Sequence, residues 1–167
     1  MRALVLSDIH GNLQALQAVL AAAAGEFDQI WNLGDAVGYG ASPNEVIHIL
    51  REQASVNVRG NHDRVAAGLT SSQGFNPVAA QAAAWTQAAL TPENLLWLQQ
   101  VKQGPVQASA DAQVAHGSPL DEDHYILSMR DAWTPLRRMH TALTFFGHTH
   151  VQGAFLQFGA EWEEIAP

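Results

Sequence analysis

The chain has 167 residues, 47% of them hydrophobic, and carries 16 acidic against 8 basic side chains, for a formal net charge of −8. This length predicts a single domain over residues 1–167 with a substantial buried core. The acidic balance argues against non-specific binding to nucleic acid, which usually needs a basic face. The sequence contains no cysteine, so disulfides and thiolate metal sites are excluded.

Membrane and targeting signals do not appear in the sequence pattern. The longest apolar runs fall short of the roughly 18 residues that a membrane span requires. The N-terminus enters a strand-like run at Ala3-Leu4-Val5-Leu6 without the charged flank and cleavage site of a signal peptide. We therefore expect a cytoplasmic protein with no membrane partner.

The first third of the chain alternates predicted strands and helices. Strands are expected at residues 2–7, 29–33 and 55–58, and helices at 12–24 and 43–53. Ser42-Pro43-Asn44-Glu45 has the pattern of a capping box with proline at the first helical position. Strands and helices alternating at this spacing predict βαβ units and a parallel sheet.

The rest of the chain changes from helices to shorter strands. The predicted helices are residues 77–90, 92–100 and 132–140, and the predicted strands are residues 105–109, 112–115, 143–146 and 152–157. The acidic run Asp121-Glu122-Asp123 is expected in a solvated loop. His48, His124 and His140 belong to no motif and are expected to be surface or structural residues.

Metal-ligand side chains occur in five short blocks, each after a predicted strand. The blocks are Asp8-Ile9-His10, Gly34-Asp35, Gly60-Asn61-His62-Asp63, His116-Gly117 and Gly147-His148-Thr149-His150. In open α/β sheets ligands gather beyond the carboxyl ends of the strands, so five loops can converge there. Such a set can bind two divalent ions about 3.5–4 Å apart, an arrangement that hydrolyses phosphate esters. Mixed imidazole and carboxylate ligands favour Mn, Fe, Zn, Co or Ni over Mg or Ca.

These blocks, in this order, resemble the calcineurin-like metallophosphoesterase superfamily over residues 1 to about 153. The similarity is greatest to its small bacterial and archaeal phosphodiesterase branch. It is carried by Ser7-Asp8-Ile9-His10-Gly11-Asn12, Gly34-Asp35-Ala36-Val37-Gly38-Tyr39-Gly40, Val58-Arg59-Gly60-Asn61-His62-Asp63 and His116-Gly117-Ser118-Pro119. The resemblance implies an α/β fold, a four-layer α/β/β/α sandwich of two mixed sheets, with a dinuclear site at one edge of the sheets.

The resemblance also implies a role for each ligand. Asp8, His10 and His150 would bind the first ion, Asn61, His116 and His148 would bind the second, and Asp35 would bridge them. A hydroxide between the ions would attack phosphorus. His62 would be the general acid for the leaving oxygen, or would stabilise the phosphoryl group in the transition state.

Two departures from the family pattern affect the expected substrate and assembly. Gly38 and Tyr39 stand where the Ser/Thr phosphatases of the superfamily carry an Asp and an Arg, which argues against a protein phosphatase. This leaves the partner of His62 open, with the adjacent Asp63 as one candidate. Residues 151–167 are fewer than relatives carry after the last block, which suggests a short chain, a truncated one, or completion by a partner such as a homodimer.

The expected function is therefore hydrolysis of small phosphoester substrates, of diesters rather than monoesters. The alternatives are a dinucleoside polyphosphate hydrolase, a phosphomonoesterase, and a metal-binding scaffold without catalysis. Tyr39 is a candidate for the wall of the substrate pocket. Arg59 has two open interpretations, a contact to phosphate and a structural ion pair.

Overall fold

The computed structural model describes residues 1–165. Its strands are β1 (Ala3–Leu6), β2 (Gln29–Asn32), β3 (Ala54–Asn57), β4 (Val106–Gln107), β5 (Ala112–Val114), β6 (Leu143–Phe145), β7 (Ala154–Phe158) and β8 (Glu161–Ile165). Its helices are α1 (Leu13–Ala22), α2 (Pro43–Gln53), α3 (Asn61–Ala66), α4 (Pro77–Ala89), α5 (Pro92–Gln100) and α6 (Met129–Arg138). These elements confirm the predicted α/β class.

The first sheet contains β1, β2 and β3 in that order, all parallel. Parallel neighbours need crossover connections, which α1 and α2 provide. All three strands therefore end at the same edge of the sheet, and the loops that follow them carry the first three ligand blocks.

The first sheet has two apolar faces, as expected for a strand period of two. On one face, Val5 and Trp31 pack with β5 and β6, and the rings of Trp31 and Phe145 are 6.0 Å apart. On the other face, Leu6 packs with the helices, including the fully buried Ile47 of α2. Helices thus cover one face and a second sheet covers the other.

The second sheet has the order β4-β5-β6 and is mixed. β4 pairs antiparallel with β5, and β5 pairs parallel with β6. Because β5 and β6 run in the same direction, they deliver the fourth and fifth ligand blocks to the same end of the sheet. Two sheets packed face to face agree with the predicted architecture, but the first sheet is wholly parallel, and the complete four-layer arrangement stays a prediction.

The segment after the last ligand block forms an antiparallel hairpin of β7 and β8, where the sequence predicted one strand at residues 152–157. The hairpin packs on α6, with the rings of Trp133 and Trp162 stacked at 4.2 Å. A largely apolar cavity of about 570 Å³ lies between α6, β6 and β7. Within residues 1–165, the structure contains no helix that is both long and apolar enough to cross a membrane.

One prediction at a helix start is wrong, and one short helix has no counterpart among the predicted elements. The side chain of Ser42 makes no capping hydrogen bond, so the predicted capping box is absent although α2 begins at Pro43. α3 was not predicted; it begins at Asn61, and the Asp63 carboxylate accepts the Gly60 N–H at 3.0 Å. The third ligand block therefore opens a short helix.

Candidate metal centre

Backbone hydrogen bonds tie neighbouring ligand blocks to each other. The N–H of Asp8 donates to Gly34 at 3.0 Å, and the N–H of His10 donates to Asp35 at 2.8 Å. The last block is tied to the fourth, because the N–H of Gly147 donates to His116 at 2.8 Å. The loops of the first two blocks, and those of the last two, are thus fixed to each other by the backbone, and the third block is joined through the Asp35 side chain, which accepts the N–H of His62.

The side chains form two groups of potential metal ligands. The first contains Asp8, His10 and His150, and the second contains Asp35, His116 and His148. Within each group the ligand atoms all lie within 4.8 Å of one another. The structure therefore brings together all the residues that the sequence pointed to as ligands, with Asn61 beside the second group.

Asp35 stands between the two groups. Its Oδ2 atom is 3.7 Å from Nε2 of His10 and 3.4 Å from Nε2 of His116. Its Oδ1 atom accepts the backbone N–H of His62 at 2.9 Å. One carboxylate oxygen thus faces both groups, while the other fixes the start of α3.

His116 faces another acceptor. Its Nδ1 lies 3.0 Å from the Leu33 carbonyl, so that nitrogen carries the proton, and Nε2 lies 3.1 Å from Oδ1 of Asn61. A neutral imidazole would then direct a lone pair at the amide oxygen of Asn61. A cation between the two atoms, or a second proton on the ring, would remove the repulsion between these two acceptors. This part of the site fits a metal ion.

Backbone carbonyls fix two more histidines. Nδ1 of His10 lies 3.1 Å from the Val37 carbonyl, which leaves Nε2 as the ligand atom, 3.2 Å from Nε2 of His150. Nε2 of His148 lies 3.2 Å from the Asp123 carbonyl, which leaves Nδ1 for a metal. Outer hydrogen bonds of this kind orient metal-binding histidines.

Asp8 provides a second indication of a cation. Its Oδ2 accepts the Ser7 hydroxyl at 2.5 Å and the backbone N–H of His148 at 3.0 Å. Its Oδ1 is buried and has no hydrogen-bond partner among the described residues, and it lies 3.3 Å from Nε2 of His150. An unpaired buried carboxylate oxygen is costly unless a cation binds it.

Backbone strain is concentrated at this centre. The non-glycine residues with positive φ in the described part of the chain are Asp8, His10, Asp35, Tyr39, His148 and His150. Left-handed backbone costs free energy for any residue with a Cβ, less for Asn, Asp and His than for a bulky residue such as Tyr, and it tends to persist at functional sites. Five of the six residues are predicted ligands, and the sixth, Tyr39, lines the same cavity.

Charge coupling dominates the electrostatics of the site. Burial disfavours the charged forms of both Asp35 and His116, but their mutual attraction outweighs it. The pKa of Asp35 is lowered to about 2, and the pKa of His116 is raised to about 9. Burial and the charge of Asp35 raise the pKa of Asp63 to about 7, while burial lowers the pKa of His148.

His62 lies in a cavity of about 190 Å³ together with His10, Asp35, Asn61 and both C-terminal histidines of the site. Its ring packs among the rings of Tyr39 at 4.6 Å, Phe75 at 4.7 Å and His10 at 5.0 Å. Burial lowers the pKa of His62, with the charge of Asp35 acting in the opposite direction. Aromatic packing therefore holds this ring beside the ligands.

Asp63 does not orient His62, so that candidate is wrong. The Asp63 carboxylate accepts the N–H groups of Val37 and Gly60, each at 3.0 Å. Nδ1 of His62 is buried and has no hydrogen-bond partner within residues 1–165. Gly38 lies directly against it, since a Cβ there would be 2.6 Å from Nδ1. The position that carries an Asp in the resembled phosphatases is thus adjacent to the histidine but provides no carboxylate.

Of the two interpretations of Arg59, a phosphate contact and a structural ion pair, the structure shows the ion pair. Arg59 donates to Glu122 from Nε at 3.2 Å and from a terminal nitrogen at 3.1 Å. Arg64 also pairs with Glu122 and with Asp123. Glu122 is only 6% exposed, so the expectation that the whole acidic run is solvated is wrong. These pairs anchor the loop whose Asp123 carbonyl contacts His148.

The sequence interpretation missed two aromatic residues at the site, Phe75 and Tyr125. Tyr125 stacks on His148 with ring centroids 3.9 Å apart and lines the cavity, and Phe75 packs on His62. Both lie in loops with no fixed spacing from a ligand block, so only their aromatic character could have identified them. Tyr39, a candidate for the pocket wall from the sequence, lines the cavity. His48, His124 and His140 are exposed and lie apart from it.

Comparison with known proteins agrees with this geometry. The sequence profile of the calcineurin-like phosphoesterases matches residues 1–152. The crystal structure of a metallophosphoesterase from Sphaerobacter thermophilus is 42% identical, with a TM-score of 0.80, over 93% of this chain and 63% of that one. An uncharacterized protein of Methanocaldococcus jannaschii is 44% identical over 95 residues, 56% of this chain and 39% of that protein.

A further solved structure, of a protein proposed to be a diadenosine tetraphosphatase, is 24% identical with a TM-score of 0.53, over 70% of this chain and 50% of that one. At this identity the likeness concerns the fold alone. The chain spans less than two thirds of the length of each of these three proteins. The profile match over residues 1–152, with the structural likeness, shows that the chain belongs to the calcineurin-like phosphoesterase family.

Proposed function

We propose that this chain carries the active site of a phosphoester hydrolase that uses two divalent metal ions and acts on small diesters. The observation that carries the proposal is the position of Asp35, whose Oδ2 atom faces both ligand groups, in the cavity that contains His62. A carboxylate between two groups of histidines is the arrangement that a two-ion phosphoesterase needs.

The proposed ligand assignment follows the two groups. Asp8, His10 and His150 hold one ion, and His116 and His148 hold the other, with Asn61 adding its amide oxygen. Asp35 contributes to both ions. Nitrogen and oxygen ligands in this mixture favour Mn, Fe, Zn, Co or Ni over Mg or Ca. When bound, such ions would lower the pKa of a water and neutralise charge on the phosphoryl oxygens.

His62 is the proposed proton donor to the leaving oxygen. Its Nδ1 is buried against Gly38, so Nε2 is the nitrogen that can reach a substrate in the cavity. Burial lowers the pKa of His62 and so disfavours the protonated ring, whereas the negative charge of a phosphate bound beside it would favour the imidazolium that gives its Nε2 proton to the leaving oxygen. Packing against Tyr39 and Phe75 holds the ring in place for this step.

The cavity favours a diester over a monoester. A monoester carries an additional negative charge, which a guanidinium commonly binds. Neither Lys nor Arg occurs among the described residues that line the cavity. Arg59 and Arg64, which lie nearby in the sequence, are both paired with Glu122.

The test is hydrolysis of bis-p-nitrophenyl phosphate and p-nitrophenyl phosphate by the manganese-loaded protein, with Asp35→Asn as the control. We expect turnover of the diester to exceed that of the monoester and to disappear in the variant. Faster turnover of the monoester would contradict the preference for diesters. If two ions bind per chain and neither ester reacts, the chain is a metal-binding scaffold.

A further inference from the structure

We propose that Tyr39 and Tyr125 bind planar aromatic groups, a nucleobase or an aryl ring, on the two ester arms of the substrate. This inference rests on the proposed function of the same site and adds a substrate class to it. Its basis is the position of the two rings at different ends of the ligand cluster.

Each tyrosine contacts a histidine of a different ligand group. Tyr39 contacts His10 of the first group, with ring centroids 4.9 Å apart, and also contacts His62. Tyr125 stacks on His148 of the second group at 3.9 Å, with the planes inclined by 26°. A phosphorus atom bound near Asp35 would direct one ester arm towards Tyr39 and His62, and the other towards Tyr125.

Both rings are available to a ligand. Tyr39 is 47% exposed and Tyr125 is 50% exposed, although both line the cavity. His148 covers one face of Tyr125, so the other face can stack on a planar group. Aromatic side chains bind bases and aryl rings by such stacking without needing a charged partner.

The backbone at Tyr39 adds an independent argument. This residue has a φ of +58°, which is strongly unfavourable for a bulky side chain and is adopted readily by Gly or Asn. An aromatic ring is therefore present at a position where the backbone favours a smaller residue. Strain of this kind is retained where the side chain has a function.

Composition of the cavity supports the same conclusion. Its described lining contains histidines, Asp35, Asn61, Thr149 and the two tyrosines. The histidines and Asp35 face the metal groups, which leaves the tyrosine rings as the large apolar surfaces for the organic part of a substrate. An acidic protein with no Lys or Arg among the described residues of this lining would recognise that part through its shape and π-face.

The test compares two diesters with the same leaving group, thymidine 5′-(p-nitrophenyl phosphate) and methyl p-nitrophenyl phosphate. In both, water attacks phosphorus and the bond to the aryl oxygen breaks, releasing p-nitrophenol and a monoester. Only the arm that stays on phosphorus differs. The ratio of the two kcat/KM values therefore isolates recognition of that arm.

We expect Tyr125→Leu to reduce this ratio about tenfold, mainly through the KM of the thymidine ester, as loss of one stacking contact predicts. Tyr125→Phe keeps the ring and should keep the ratio. Trp85→Leu removes an aromatic residue that is 48% exposed and lies outside the cavity. This control variant should leave kcat/KM unchanged for both diesters. An equal loss in Tyr125→Phe and Tyr125→Leu, or an unchanged ratio in both, overturns the proposal for Tyr125.

For Tyr39 the matched pair is Tyr39→Phe and Tyr39→Asn. Asn tolerates the left-handed backbone, so this variant removes the ring without adding strain. We expect Tyr39→Asn to raise KM for both p-nitrophenyl esters several-fold and Tyr39→Phe to leave KM close to that of the wild type. A fall in kcat at unchanged KM would show that Tyr39 acts only by placing His62, which overturns its proposed part in binding.

A binding measurement separates this inference from the proposed function. Calorimetric titration of the manganese-loaded protein with thymidine 5′-monophosphate and with methyl phosphate needs no turnover. We expect tighter binding of the nucleotide, with the difference lost in Tyr125→Leu. If neither ester is hydrolysed, the proposed function fails, but the titration still decides whether the site binds an aromatic group. Equal affinity for thymidine 5′-monophosphate and methyl phosphate overturns the inference of aromatic recognition, even in an active enzyme.

Discussion

Nε2 of His116 lies 3.4 Å from Oδ2 of Asp35, and both side chains are almost completely shielded from solvent. Burial disfavours each charge, but the pairing raises the pKa of His116 to about 9 and lowers that of Asp35 to about 2. The metal-free protein therefore holds this pair in its charged form at neutral pH, and a metal ion would take the place of a proton.

Stability of the metal-free protein should consequently fall in alkaline solution. The folded pKa of His116 lies above the ordinary histidine pKa of 6.5, so its contribution to stability is complete below about pH 6.5 and is lost as the pH rises through about 9. The raised pKa of Asp63, about 7 against 3.8, acts in the same direction at lower pH. We expect a decrease in Tm from pH 6 to pH 9, measured by calorimetry in the presence of a chelator.

Manganese should reverse this trend, because metal binding competes with the proton on His116 and strengthens as the pH rises. His116→Gln provides the control, since its Tm should change less between pH 7 and pH 9. A metal-free wild type with the same Tm at pH 6 and pH 9 would contradict the ion pair.

Replacement of His62 should separate catalysis from metal binding. We expect His62→Ala to keep its ions, measured by elemental analysis, and to lose about 10²–10⁴-fold in kcat for a diester with an alkyl leaving group. An aryl leaving group needs less protonation, so the loss for bis-p-nitrophenyl phosphate should be smaller. Equal losses on both substrates would assign His62 to stabilising the phosphoryl group rather than to proton transfer.

Gly38 should be intolerant of a methyl group. It has a φ of +97°, and a Cβ would lie 2.6 Å from Nδ1 of His62. Gly159→Ala is the matched control, with a φ of +62° and nothing within 4 Å of the added carbon. Both variants should lose about 1 kcal/mol of stability from the backbone strain, but we expect only Gly38→Ala to lower kcat, by about tenfold or more, because it displaces His62. Similar kcat values in the two variants would exclude this steric link.

Glu122 should support the metal centre from outside. Glu122→Ala leaves the partly buried Arg59 and Arg64 without this partner, and we expect a loss of about 3 kcal/mol in the free energy of unfolding. The loop with the Asp123 carbonyl should loosen, and manganese binding, followed by calorimetric titration, should weaken. The exposed pair of Glu93 with Arg51 is the control, and Glu93→Ala should cost less than about 1 kcal/mol without changing metal affinity.

The first sheet and the ligand set could be predicted because their signals are local. Each short apolar strand is followed at once by its ligand block, and parallel strands place such loops at one edge. The same local logic could have corrected the start of α6. Ser128 accepts the N–H of Asp131 at this helix start, a capping pattern in the sequence that places the start at Met129, three residues before the predicted one at 132.

Other features depend on contacts between distant residues. Burial of Glu122 requires Arg59 and Arg64, which are 63 and 58 residues away in the sequence. β8 contains Glu161, Glu163 and Glu164, so its pattern does not resemble a buried strand. The single domain over residues 1–167 and the homodimer stay predictions, and residues 166–167 lie outside the described part.

The left-handed backbone at the ligands has a consequence for attempts to engineer this protein. Glycine would relieve local strain at positions such as His10 and His148, so a search for thermostable variants that ignores the metals would favour it there. The variants selected in this way would lose the side chains that bind the ions. Stability and activity are therefore opposed at these positions, and any such selection should be made with metal present.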